Sequence, residues 1–435
     1  MILLAAALAL AAAPPQASLP KGNVLVLVVD TLRADAMGVY GEKTPTTPRM
    51  DAFAKDAVVF DRAWTQYTWT LPSFISYTTS RFVRTHGWDY DIGQFDLYRT
   101  IDNSVPTLAE VLKANGYATH GRFANGHLND SLGFGKGFEK WVRGSDEAVL
   151  SGAIEQIQGW AKDGKPNFLY VHVMQCHTPW RPTAAAQKAL GTPLTVPEKG
   201  FDAADWPKLS KEARPARALE LRTHYEAALH DADAGMGRVL DALNASGEAK
   251  NTMVIFHSDH GEQLGDHSFA GHNRSVFEEL ARVPLIVRVP GAKPARVGDR
   301  VARLMDIPPT VLDVIGLAAK APAGWEGSSW YRQVQPPLAV VERTTDIAFS
   351  LDGRHKLVQD RAKAIFAYGF DLLSDPGEKT RIKDATVPGL AALEAAAKAW
   401  WAKTPKGVNI GEKPKVSAEE ESDVNELLKE LGYQE

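Results

Sequence analysis

Two apolar runs that each end in an acid constrain the fold more than anything else in the chain. Val254-Ile255-Phe256 passes through His257 and Ser258 into Asp259-His260-Gly261-Glu262, and Asn23-Val24-Leu25-Val26-Leu27-Val28-Val29 leads into Asp30. Uninterrupted apolar runs of this kind suit strands buried on both faces, the condition of a parallel sheet covered by helices. In open α/β sheets, ligands collect outside the carboxyl ends of the strands. Two acid-tipped strands can therefore place Asp30 and Asp259 around one cation, with the neighbouring imidazole of His260 as a further lone-pair donor. Taken singly, an Asp and a Gly after an apolar strand also mark an ordinary turn; the pairing favours a site.

The intervening chain alternates in the same sense. Helical spacing covers 46–54, where Thr47 and Pro48 suit a helix start, and a short strand follows at 58–60. Residues 67–81 read as a polar loop with Pro72 close to the start of a helix. A helix at 107–114 gives way at Asn115-Gly116 to a strand at 117–124, followed by a helix at 146–162, a strand at 168–174, a long helix at 219–245 and the strand at Met253. Repeated alternation predicts an α/β fold with a large, mostly parallel sheet and helices on both faces. The Pro-rich segment 178–217 reads as a surface excursion over the site. Residues 305–316 predict a helix closed by Gly316, and the Ala-rich tract 390–402 is another helix former. Beyond about Pro336, short strands separated by Asp352-Gly353 and Asp375-Pro376-Gly377 predict a smaller antiparallel subdomain with a terminal helix near 417–431. The expected division is 1–18, 19–335 for the catalytic α/β domain, and 336–435 for the C-terminal subdomain.

Composition narrows the function. With 49 basic and 53 acidic residues the formal net charge is -4, and no dense basic run occurs, so no nucleic-acid partner is expected. A hydrophobic fraction of 44% with 11 Trp supports a sizeable core. Residues 2–13 are too short to span a bilayer but suit the apolar section of a signal peptide ending near residue 18, although no Lys or Arg precedes them. A periplasmic or secreted protein with no integral membrane span is the expectation, the alternative being a simple apolar N-terminal helix. Cys176 is the single cysteine, which excludes an intrachain disulfide.

The chain resembles the sulfatase branch of the alkaline phosphatase superfamily. The residues that carry this are Val29-Asp30-Thr31-Leu32-Arg33-Ala34-Asp35, Thr46-Thr47-Pro48-Arg49-Met50-Asp51, Trp69 to Arg81 with His86-Gly87, Gly116-Tyr117-Ala118-Thr119, His177-Thr178-Pro179, Ser258-Asp259-His260-Gly261-Glu262, Gly271-His272, and Asp371-Leu372 with Asp375-Pro376-Gly377-Glu378. The resemblance implies an alkaline phosphatase/sulfatase-like fold and one divalent ion held by Asp30, Asp259 and His260, with the Thr70 oxygen as fourth ligand. Calcium is common in the family. Thr31 stands where many sulfatases place another Asp, and one carboxylate fewer with one imidazole more shifts the preference toward manganese or zinc.

The departures bear on mechanism. Sulfatases usually carry Cys or Ser at the head of a C/S-x-P-x-R motif, which is converted to formylglycine. Here the segment is Thr70-Leu71-Pro72-Ser73-Phe74, so formylglycine is not expected and Thr70 stands as an unmodified nucleophile. A Thr before Leu-Pro-Ser also suits a helix cap. Two lysine positions of the family fall at Asn125 and Asn273. Anion binding would then rest on the metal, on His127, His177 and His272, and on Arg274, with Asn125 and Asn273 facing the substrate. His177 and His272 sit beside turn residues, as walls of a site do, while His127 suits a site or a core equally; a protonated imidazole can act as general acid. His267 and Arg33 are read as lying outside the ligand set, and Cys176 as a small core residue. The function implied is metal-dependent hydrolysis of an anionic ester, sulfate or phosphate/phosphonate, on a small-molecule, glycan or lipid substrate. The alternatives are a phosphoalcohol transferase working through phospho-threonine and a degenerate, non-catalytic sulfatase-like binding protein.

Overall fold

The computed structural model describes residues 18–88, 106–298, 300–333 and 337–404, with 104 and 406. The apolar segment at 2–13 and the expected helix at 417–431 lie outside the described residues. The Asn23–Val29 strand sits within an eight-stranded sheet whose order is Ala295–Val297, Val58–Phe60, Leu285–Arg288, Thr252–His257, Asn23–Val29, Asn167–Val173, Ala118–Phe123, Lys140–Arg143. Neighbours pair parallel throughout, except that Leu285–Arg288 runs antiparallel to both strands beside it.

The apolar runs end up where their composition demands. Val24, Val26 and Val28 join one core with Phe74, Ile75, Val111 and Val311, while Leu25, Leu27 and Val29 join a second core with Phe53, Leu150, Met236 and Val239. One face is therefore covered by the helices Thr70–Thr79, Leu108–Ala114 and Ile307–Val314, and the other by Pro48–Ala54, Asp146–Asp163 and Arg214–Ala245. Each apolar side chain fully withdrawn from water in this way contributes roughly 1.5–3 kcal/mol. The register has a direct consequence for chemistry. Val28 pairs with His172 on one side and with His257 on the other, so Asp30 leaves the sheet level with Asp259.

Local signals set the helix ends. Thr107 and Glu110 form a reciprocal capping box, and Ser145 accepts from the backbone N–H of Ala148. Two starts differ from the sequence reading. The Thr70–Thr79 helix begins inside the segment expected to be loop, because Pro72 falls in its first turn, where the missing N–H costs nothing. The long helix begins at Arg214, five residues early, with Pro215 in its first turn.

The C-terminal part is a four-stranded antiparallel sheet, Ala339–Glu342, Asp346–Ser350, His355–Asp360 and Ile365–Asp371. The Pro388–Lys403 helix covers one face through Leu390, Leu393, Ala397 and Trp400; on the other face Val341, Ala348 and Val358 pack on Trp64, Val276 and Ala281. At that seam Lys356 is fully buried, 3.0 Å from Glu278 and 2.9 Å from Glu378.

Candidate active site

Asp30, Asp259 and His260 are fully buried, and Thr70 is 1% exposed. His260 Nε2 lies 3.9 Å from Asp30 Oδ1, 3.6 Å from Asp259 Oδ2 and 3.3 Å from Thr70 Oγ1. The structure thus gathers the residues expected to hold a metal, although they come from two strand ends and a helix start. Asp30 Oδ1 and Asp259 Oδ2 are buried, and no hydrogen-bond donor among the described residues reaches either. A buried carboxylate oxygen without a partner carries a large desolvation cost. Two of them facing one imidazole nitrogen and one hydroxyl fit a divalent cation, with Asp30, Asp259, His260 and Thr70 as the donors. Thr31 takes no part: its Oγ1 donates to the Asp30 carbonyl, and its backbone N–H donates to Asp259 Oδ1 at 3.3 Å.

Thr70 is the first residue of its helix. Trp69 is the N-cap and makes no side-chain cap bond, so the Thr70 hydroxyl is directed at His260 and Asn125 and does not serve as a cap. At the N-terminus of a ten-residue helix, partial positive charge lies beside that oxygen. The Asn125 amide donates to Asp30 Oδ2 at 2.7 Å and reaches Thr70 Oγ1 at 3.4 Å. Its hold is therefore on the protein's own site groups.

Around this cluster stand imidazoles. His272 packs its ring 4.7 Å from that of His260 and 5.1 Å from that of His177, and its Nδ1 lies 3.2 Å from Glu262. Burial pushes His272 down to about 3 and the nearby charge of His260 adds to this; burial also pushes His127 down to about 3 and lowers His177. His127 is thus a neutral imidazole at ordinary pH, without the extra proton expected of a general acid. Burial raises Glu262 to about 7. Asn273 adopts a left-handed backbone, φ 57°, donates its backbone N–H to the Thr68 carbonyl at 3.0 Å and keeps a buried side-chain oxygen without a partner. Arg274 is exposed, and its charge is felt at His272. His267 stacks on Phe277 at 3.7 Å beside Glu279, away from the cluster. Arg33 is consumed by Asp35, Asp266 and the Glu262 carbonyl.

Two residues escaped the sequence reading. His172 donates from Nε2 to Asp30 Oδ2 at 3.0 Å, and its nitrogen lies among ligand atoms of Asp30 and Asp259 all within 4.8 Å of one another. The available signal was a polar residue inside the otherwise apolar Phe168-Leu169-Tyr170-Val171-His172-Val173. Glu262, the partner of His272, lies within the acid-tipped stretch itself. Beside His177, under the 178–217 excursion, a cavity of about 670 Å³ is lined by Asp146, Gln175, Arg181, Lys199 and Asp231. Donors, nucleophile and cavity together can bind an anionic ester and attack its central atom.

Residues 22–317 match the family model described as Sulfatase. The chain is 24% identical to an arylsulfatase of Clostridium perfringens over 83% of its own length and 90% of the relative's. It is 23% identical to an N-acetylglucosamine-6-O-sulfatase of Bacteroides thetaiotaomicron, covering 77% of this chain and 78% of that one. Among solved structures, the phosphonate monoester hydrolase of Agrobacterium radiobacter superposes with a TM-score of 0.64 at 18% identity, over 88% of this chain and 95% of that one.

Proposed function

The chain belongs to the sulfatase family and is a sulfatase-like ester hydrolase, and from that premise we propose that it cleaves a phosphate or phosphonate ester with the unmodified hydroxyl of Thr70 as nucleophile. The observation that carries this reading is Thr70 Oγ1 standing 3.3 Å from His260 Nε2, within the same buried cluster as the two unpartnered carboxylate oxygens. Asp30, Asp259, His260 and Thr70 would hold a divalent ion, which when bound would supply Lewis-acid stabilisation of charge and lower the pKa of the hydroxyl.

The residues account for the remaining steps. Thr70 gives up its hydroxyl proton to solvent before substrate binds, and its alkoxide then attacks phosphorus, forming an O–P bond as the bond to the leaving oxygen breaks. The leaving alkoxide needs one proton. The Glu262–His272 pair supplies it, because burial keeps a proton on Glu262 up to about pH 7 and the carboxyl lies 3.2 Å from the imidazole. Water then attacks phosphorus, the Thr70–phosphorus bond breaks, phosphate or phosphonate leaves, and a proton returns to the pair. A sulfated threonine lacks the geminal hydroxyl whose collapse releases sulfate from a formylglycine hydrate, which is why phosphorus is preferred. The cavity beside His177 takes the alcohol part, and its mixed lining of Arg181, Lys199, Asp146 and Asp231 suits a hydroxyl-rich sugar. The second reading, a sulfate ester, is favoured by the relatives named for that activity.

The test is a panel of aryl sulfate, phosphate monoester, phosphate diester and phosphonate substrates with added manganese, zinc or calcium, with mass analysis of the Thr70 peptide after rapid quenching. Phosphorus esters should turn over fastest and leave a phosphoryl or phosphonyl group on Thr70. Thr70→Ala should lose at least about a thousandfold in kcat while keeping the fold. Turnover surviving in that variant would remove the nucleophile assignment.

A further inference from the structure

The Thr70–Thr79 helix carries more than the nucleophile on the face it turns to the site. Thr70, Ser73 and Tyr77 follow one another at helical spacing along one stripe. Thr70 reaches His260, Ser73 Oγ donates to the Asp259 carbonyl at 2.8 Å, and Tyr77 hydroxyl lies 2.7 Å from Tyr170 hydroxyl. Tyr170 in turn lies 2.9 Å from His172 Nδ1, and His172 Nε2 lies 3.0 Å from Asp30 Oδ2. Every member of this chain of contacts is at most 3% exposed. At the position of the family's motif arginine, Phe74 offers no donor and packs instead against Tyr77, Phe134, Trp141 and Tyr170.

We propose that Tyr77, Tyr170 and His172 form a positioning relay that fixes Asp30 in its metal-binding orientation and ties it to the helix bearing Thr70. Donor accounting sets the direction. With Nε2–H given to Asp30 Oδ2, His172 Nδ1 accepts from the Tyr170 hydroxyl, and the Tyr170 oxygen accepts from Tyr77. His172 and Asn125 thereby occupy Oδ2 of Asp30 and leave Oδ1 bare toward His260 and Asp259. Removing the Tyr170 hydroxyl frees His172 to move its proton to Nδ1, which sets two lone pairs against each other at Asp30. The relay rests on the metal-site reading above, but not on the choice between phosphorus and sulfur.

The experiment measures Mn(II) binding to the full chain by electron paramagnetic resonance, for wild type, Tyr170→Phe, Tyr77→Phe, His172→Gln and His172→Ala. Wild type should bind one ion. Tyr170→Phe should weaken binding about tenfold or more and broaden the bound-ion spectrum, with Tyr77→Phe changing less, as expected when a group orienting a ligand is lost. His172→Gln keeps an amide donor for Asp30 and should retain more affinity than His172→Ala. With Mn(II) saturating, kcat should fall in Tyr170→Phe while KM holds. A merely structural role would lower the metal-free unfolding temperature and leave the affinity of the folded protein alone. Wild-type affinity and lineshape in a folded Tyr170→Phe variant would overturn the relay while leaving the metal site standing; a wild type that binds no Mn(II) by resonance and no zinc or calcium by titration calorimetry would overturn both.

Discussion

Thr70 and Gly261 show how narrowly single side chains are specified here. Thr70→Ser keeps the oxygen and drops only a methyl, so it should retain turnover within about tenfold, whereas Thr70→Val, which keeps the shape and removes the oxygen, should retain none; steady-state kinetics on the best ester of the panel checks both. Gly261 follows His260, and a Cβ there would run into the Glu279 carbonyl oxygen. Backbone cannot yield as the tip of a flexible side chain does. Gly261→Ala should therefore cost on the order of 1–3 kcal/mol of stability and displace His260, seen as a lower denaturation midpoint together with weaker Mn(II) binding. Phe74 has a comparable account. Its ring is 1% exposed within an aromatic cluster, where a guanidinium would lie buried without an acid.

At the scale of elements, ends matter more than middles. The Pro48–Ala54 helix has no side-chain cap from Thr47, and its first free N–H groups, of Arg49 and Met50, are taken by Asp233 from the long Arg214–Ala245 helix at 2.8 Å each. Burial pushes the Asp233 carboxyl up to about 6 from its ordinary 3.8, against the pull of those two bonds. The folded protein thus holds this proton more tightly than the unfolded chain, so the contribution is present at acid pH and is lost as pH rises through about 6. Relative to Asp233→Asn, which does not titrate, wild type should lose on the order of 2 kcal/mol between about pH 4 and pH 7.5, measured by paired denaturant melts. Neither this tertiary cap nor the relay was legible in the chain itself. Acid-tipped strands are conspicuous when two occur in one chain, and the sheet sets the strand ends bearing Asp30 and Asp259 side by side. His172 lies inside such a run, where a polar residue looks like part of the core, and Tyr77 lies in the segment 67–81 that reads as a polar loop. Thr70 before Leu-Pro-Ser suited a helix cap as well as a nucleophile, and the helix in fact begins at Thr70 itself, one residue earlier than a cap there would allow.

Over the whole molecule, the α/β alternation and the smaller antiparallel sheet were legible, since hydrophobic period and turn residues report them directly. The seam between the large sheet and the C-terminal sheet was not, because it rests on charges far apart in sequence. Lys356 is buried between Glu278 and Glu378. Lys356→Met should cost about 3–5 kcal/mol by stranding those carboxylates; adding Glu278→Gln and Glu378→Gln should recover part of it, and thermal unfolding of the variants reads the difference. The two carboxylates proposed to hold the ion follow the ends of strands clamped on both faces, with Asp30 and Asp259 level because Val28 pairs with His257. Their spacing is set by the sheet before any ion arrives. Loading should therefore leave the backbone unchanged. A protein built this way keeps its socket when stripped, and brief treatment with a chelator should be fully reversible.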